Sequence, residues 1–206
     1  MTKKMSVKRG FWLVRPLPHG SNHMQDFLQD NIIAVGYPTG TDFTGMEIDE
    51  IKDVLEDYNY ESGIGHLNVI VHLMNKGDIV VVPDDNKRDV YFGEVTSEYI
   101  YNSKLDKDET GSGYPHQRKV EWYFDKKPLL RSDFSEELKG SLRYPGTVAE
   151  LDKHSETISL MLSLDFEGKS ELISIKEDAK QALKELLKSD NEEYKLRAAE
   201  IIIRDM

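Results

Sequence analysis

The chain has 206 residues, 38% of them hydrophobic and 32% charged, with a formal net charge of −11 and no cysteine. That fits a folded globular chain with room for one well-cored domain and an appendage, and it excludes disulfides, thiolate nucleophiles and cysteine-ligated zinc. No apolar run approaches the roughly 20 residues that span a bilayer, and the apolar stretch behind the basic N-terminus is cut short by Arg15 and Pro16, so secretion is not expected and the cytoplasm is the expected location.

In chain order, Phe11–Val14 reads as a short strand ended by Pro16 and Pro18, Met24–Asn31 as a short helix, and Ile32–Val35 as a buried strand closed by Gly36-Tyr37-Pro38. From Glu47, the positions Ile48, Ile51, Val54 and Leu55 recur at helical spacing and predict a helix of about ten residues. After a break over Tyr58–Gly65, the residues Leu67, Ile70, Val71 and Met74 predict another helix within Ile64–Met74. Ile79–Val82 is entirely β-branched between turn residues, which predicts a buried strand. Val90–Val95 contains Gly93, and a glycine inside a strand marks a bulge, a barrel corner or a close approach to the backbone. Arg118–Phe124 alternates Arg118, Val120, Trp122 and Phe124 on one face with Lys119, Glu121 and Tyr123 on the other.

The polar loop Asn102–Pro115 is expected to be functional or mobile. Pro128–Leu142 predicts a turn and a short helix with Ser132 or Asp133 as N-cap, stopped by Tyr144-Pro145-Gly146, and Thr147–Leu151 a last strand or helix stub. Ile158, Leu160, Leu162 and Leu164 fit a strand or a short helix. From Ile175 two antiparallel helices are expected, broken at Ser189-Asp190-Asn191. The expected class is α+β: a small, partly closed β-barrel with flanking helices over residues 1–151, and a mainly helical C-terminal appendage over 152–206 that packs on the barrel, pairs with another copy as a homodimer, or docks a partner.

The first 150 residues carry 18 basic against 25 acidic side chains. This argues against broad attraction to nucleic acid and requires any such role to be local. Local basic positions are Lys3, Lys4, Lys8, Arg9 and Arg15, and Arg118, Lys119, Lys126, Lys127 and Arg131. No phosphate-binding loop, zinc helix, nucleophile elbow or EF-hand loop is present, and Gly63-x-Gly65 lacks the strand context of a dinucleotide site. His19 and His23 have helical ligand spacing, but Pro18 and Gly20 disfavour a helix there. Neither catalysis nor a metal nor a cofactor is expected. His116 reads as a strand-end hydrogen-bond partner or a ligand contact.

The segments FWLVRPLPHG, IIAVGYP, KGDIVVVP, FGEV, HQRKVEW and SLRYPGTVAEL resemble, in order and spacing, an EVE-like domain of the PUA superfamily, such as the N-terminal domain of Mrr-like restriction proteins and related prokaryotic defence proteins. The resemblance covers about residues 10 to 151. It departs at Tyr37, where the family usually has tryptophan, and at Leu17-Pro18, where it usually has a glycine-containing pair. It implies a nucleic-acid-binding module that holds a modified or flipped base of DNA or RNA in an aromatic pocket, acting with an effector protein or nuclease in restriction or phage defence. Nothing downstream resembles the nuclease domain of such proteins. On this reading Trp12, Tyr37 and Trp122 are aromatic walls, Arg15 and Arg118 contact base edge or phosphate, Tyr99 and Tyr101 form the rim, and His116 is a further contact. The competing reading is a protein-interaction or regulatory adaptor whose acidic surface meets a basic partner. An enzyme on a nucleotide-sized substrate is a third class, with only the pocket in its favour.

Overall fold

Three apolar runs set the architecture, because a strand with no polar face must be covered on both sides. Phe11–Val14 (β1), Ile32–Val35 (β2) and Ile79–Pro83 (β3) have every residue buried. In the computed structural model, which describes residues 9–109, 111–163, 181–188 and 191–204, they join Asp89–Val95 (β4), Ile100–Tyr101 (β5), His116–Trp122 (β6), Leu129–Leu130 (β7) and Val148–Glu150 (β8) in one sheet. The sheet is a curled half-barrel with strand order β2-β6-β4-β3-β1-β8, with β5 added on β6 and β7 on β4. β1 and β3 pair in parallel and all other pairs are antiparallel. The fold is α+β.

The long connection from β1 to β3 carries β2 and three helices. Met24–Asp30 (α1) stops at Asn31, which takes the left-handed conformation at φ 53°. Ile48–Asp57 (α2) starts from a capping box in which Glu47 and Glu50 satisfy each other's backbone N–H groups. Ile64–Asn68 (α3) widens into a π-turn over Val69–Leu73. Glu136–Ser141 (α4) is capped by the Ser135 hydroxyl, not by Ser132 or Asp133, because Arg131–Asp133 form a separate 3-10 turn.

One further reading of the sequence changes. The alternating strand ends at Trp122 instead of Phe124, since Phe124, Asp125 and Lys126 have φ of 54°, 52° and 64° and turn the chain. Of the strand or short helix left open by Ile158, Leu160, Leu162 and Leu164, the helix is what residues 158–163 form, and Leu164 lies outside the described residues. The chain divides into two units, Met1–Ile158 and Ser159–Met206. In the second, residues 181–186 and Glu192–Arg204 are helical, while the start of the expected helix at Ile175 and the break at Ser189-Asp190 lie outside the described residues, as do Lys3, Lys4 and Lys8. Among the described residues no helix is long and apolar enough to cross a membrane.

Gly93 marks a close approach. A Cβ there would stand 3.1 Å from the Trp122 ring and 3.3 Å from Val80. The Trp122 indole thus packs against β4 at Gly93, 6% exposed, and its Nε1–H donates to the Phe27 carbonyl of α1 at 3.3 Å.

Arg118 is the largest fully buried side chain, at 1% exposure. Its guanidinium donates to the carbonyls of Ile70 (2.7 Å), Val71 (3.1 Å) and Ser97 (3.1 Å), and lies 3.5 Å from the exposed Glu98 carboxylate. Burial lowers its pKa, with Glu98 opposing. A π-turn leaves carbonyls without intrahelical donors, and a long cation reaching from β6 supplies them. Arg118→Ala should therefore cost about 3–5 kcal/mol by stranding several buried acceptors. Urea denaturation at neutral pH measures it, and a loss under about 1 kcal/mol would mean that water serves those carbonyls equally well.

Candidate functional site

Tyr37 has φ 70°, in a region that a bulky side chain rarely occupies, and it precedes Pro38, which itself favours extended backbone. Such a conformation costs on the order of 1–3 kcal/mol and persists only where surrounding contacts impose it. Here those contacts come from both sides of the residue.

The backbone side is held by His116 at the start of β6. Its Nε2 lies 3.1 Å from the Tyr37 carbonyl, and since a carbonyl only accepts, Nε2 carries the proton. Nδ1 is then the acceptor for the Tyr99 O–H at 2.7 Å, and the Tyr99 oxygen in turn accepts from the Phe43 N–H at 3.4 Å. The imidazole stacks on Phe43 with centroids 4.6 Å apart and planes 7° from parallel, with Tyr99 and Tyr101 at 5.9 and 6.0 Å. Enclosure moves the His116 pKa down to about 4, against the opposing hydrogen bond to Tyr37 and the charges of Asp106 and Asp42. The ring is neutral at physiological pH, as its acceptor nitrogen requires.

The ring side is held by the segment that enters α3. The Tyr37 ring lies over Gly63, where a Cβ would come within 2.5 Å of it. Its hydroxyl is 2.7 Å from Nδ1 of His66, and the Tyr60 ring meets it edge-on at 5.8 Å. Burial raises the Tyr37 phenol pKa, partly offset by the Thr147 side chain, and burial lowers that of His66. Tyr37 and Tyr60 remain partly exposed.

The surroundings are polar and acidic. Tyr101 donates to Asp106 at 2.5 Å, and burial together with Asp106 and Asp42 pushes its pKa up to about 12. Asp106 and Asp108 act with burial to raise Tyr60. The loop carrying these carboxylates folds over Gly36, where a Cβ would be 3.3 Å from the Gly113 carbonyl. Three buried polar atoms of this region, Thr39 Oγ1, Asp106 Oδ1 and Ser112 Oγ, have no hydrogen-bond partner among the described residues. Among the described residues no three acidic or imidazole side chains converge to hold a metal ion.

The structure thus brings together four of the residues singled out from sequence, Tyr37, Tyr99, Tyr101 and His116, and gives the side chains of the other four different partners. Trp12 is in the core, 9% exposed, its Nε1–H given to Asp78 at 2.8 Å. Trp122 and Arg118 are interior residues, 6% and 1% exposed, bonded to backbone carbonyls. Arg15 is at the end of β1, donating to the carbonyls of Leu142 and Tyr144. Tyr60, Gly63 and His66 were missed: the sequence shows the first two in a helix break and His66 in the helix after it, and nothing local reports that a ring from far upstream rests on the glycine.

The neutral His116 predicts a pH dependence. Its folded pKa lies below the ordinary value of 6.5, so as pH falls through 6.5 the unfolded chain takes a proton that the folded chain does not, and stability drops between about 6.5 and about 4. Between pH 7 and 5 wild type should lose about 2 kcal/mol more than His116→Gln, whose amide can serve both partners without titrating. Parallel urea-unfolding profiles for the two proteins would contradict a neutral, enclosed imidazole.

No curated protein matches the chain. Residues 12–151, which include the whole of this site, match a domain of unknown function, DUF8426, and the chain belongs to that family.

Proposed function

We propose that this domain reads a single extruded or unpaired nucleobase, modified or flipped, at the Tyr37 site. The observation that carries the reading is the left-handed Tyr37, an aromatic ring in a strained pose fixed by His116 on one side and Gly63 on the other. A ring so fixed is a pre-organised stacking surface. Stacking contributes about 1–3 kcal/mol per base, and extrusion costs a few kcal/mol, least where pairing is already weak. The curled sheet and flanking helices agree with the resemblance to EVE-like domains of the PUA superfamily. That resemblance extends the reading to cytoplasmic restriction or phage defence alongside a separate effector or nuclease, with a C-terminal helical hairpin as the element for docking it or a second copy.

A second reading has its own support. Asp42, Asp106 and Asp108 surround the tyrosines, and an aromatic site ringed by carboxylates also suits a cation, such as a lysine or methyl-lysine of a basic protein partner.

Fluorescence anisotropy separates the two. Labelled single- and double-stranded DNA and RNA, with and without modified bases, and a lysine-rich peptide would be compared at low and physiological salt. The base reading expects one oligonucleotide class to bind best, to weaken about tenfold or more in Tyr37→Ala and Gly63→Ala, and to be retained in Tyr37→Phe. Absence of oligonucleotide binding, or equal binding by wild type and Tyr37→Ala, would overturn it, and peptide binding lost in Tyr37→Ala would establish the second reading.

A further inference from the structure

On a chain of net charge −11, one groove of the first unit concentrates the opposite sign. It has a volume of about 730 Å³, within the range of small-molecule sites, and lies between the β3–β4 turn, the end of β1 and the segment from Arg131 through α4. Six cations line it. Two are neutralised locally, Arg88 by a two-point contact with Asp89 and Lys139 by Glu136 at 3.0 Å. The other four are Arg15, Lys87, Arg131 and Arg143.

Their partners leave the charge in place. Arg15 and Arg131 both donate to the Leu142 carbonyl, at 3.0 and 2.6 Å, and Arg15 also to Tyr144. A carbonyl orients a guanidinium but carries no formal charge to cancel it. The side chains of Lys87 and Arg143 make no hydrogen bond or ion pair with a described residue. Three wall carboxylates oppose the four, since Glu136 acts on Arg143 as well as on Lys139. Asp84 accepts hydrogen bonds from Asn22 and Asn86, and Asp85 acts on Arg15. The crowding is visible at Arg131, whose pKa is lowered first by burial and then by Arg15 and Arg143. Like charges held together by neutral anchors form a site for an anion with several oxygens, since forked guanidinium donors match phosphate geometry.

The geometry points to this groove as a phosphate-binding site, taking the phosphodiester backbone of a nucleic-acid strand or the phosphates of a free nucleotide. It stands whether or not Tyr37 takes a base, but the two regions adjoin. The Thr147 carbonyl accepts the Arg15 N–H at 2.8 Å, while the Thr147 side chain acts on the Tyr37 phenol. A strand whose base reached Tyr37 would have phosphates near Arg15.

The test is titration of the isotope-labelled full chain with sodium pyrophosphate, ADP and oligodeoxythymidylate at low salt, followed by amide chemical shifts and repeated with Lys87→Gln/Arg143→Gln and with Tyr37→Ala. Neither Lys87 nor Arg143 bonds through its side chain to a described residue, so the double variant should keep the fold, which its spectrum reports directly. Expected are shifts centred on residues 84–88 and 131–143, a Kd raised about tenfold or more in the double variant, and pyrophosphate binding unchanged in Tyr37→Ala. Tighter binding of the oligonucleotide, with a salt slope near −3 that falls by about 1.4 when two charges are removed, would assign the backbone. Equal or tighter binding of ADP or pyrophosphate would assign a free nucleotide. No shifts with any of the three, or the same affinity in the double variant, would overturn the site, and failure of Tyr37→Ala alone to affect oligonucleotides would bear only on the base reading.

Discussion

The inward face of β6 carries hydrogen-bond donors that must find acceptors away from water, and the elements around the sheet are held where those acceptors are. His116 Nε2–H reaches the Tyr37 carbonyl, Arg118 reaches Ile70, Val71 and Ser97, and Trp122 Nε1–H reaches Phe27. Each donor is buried, and the acceptors are backbone carbonyls of four flanking segments, Ile70 and Val71 sharing one. An unmet buried donor costs about 1–3 kcal/mol, more if charged, so a single strand ties the β2 exit loop, the α3 π-turn and α1 to the sheet. Apolar packing alone would hold these segments against the sheet without fixing their register, whereas a directional bond to one carbonyl does both.

That arrangement explains why the aromatic site can hold a strained residue. Tyr37 sits between two rigid supports, the neutral His116 stacked on Phe43 and the glycine that opens the start of α3. α3 is itself anchored by Arg118 two residues further along β6. The site and the core are therefore coupled through one strand, and Arg118 supports the Tyr37 region from inside. A change at Arg118 would disturb both together, so loss of binding in such a variant cannot by itself identify a contact.

The strands were legible because their signal is local: FWLV, IIAV and IVVV are apolar throughout, while Gly93 offered a bulge, a barrel corner or a close approach without deciding among them or naming Trp122 as the neighbour. The helix over Ile64–Met74 was legible as helix, but its π-turn was not, because the donor that serves its open carbonyls is a buried cation on a distant strand. The site was half legible. Motif order pointed to Tyr37, Tyr99, Tyr101 and His116, which do meet. It also pointed to Trp12, Arg118 and Trp122, whose large, ligand-like side chains are spent on interior hydrogen bonds. Residue type alone does not distinguish an aromatic wall from an aromatic core.

Charge shows the same limit most sharply. The overall count is acidic, and the basic residues of the sequence appear as two loose groups. Folding sorts them by what they can reach. Lys119 and Lys126 donate to the carbonyls of Asp30 and Leu28 at the end of α1, where cations offset the helix dipole, and Arg118 goes inside. Arg15 and Arg131, far apart in sequence, meet over the Leu142 carbonyl beside Lys87 and Arg143. Screening limits exposed charges to about a Debye length, roughly 8 Å at physiological salt, so an anion in that groove responds to these four cations far more than to the acidic remainder of the chain. Net charge governs encounter at long range, while affinity at a site is set by the charges that line it.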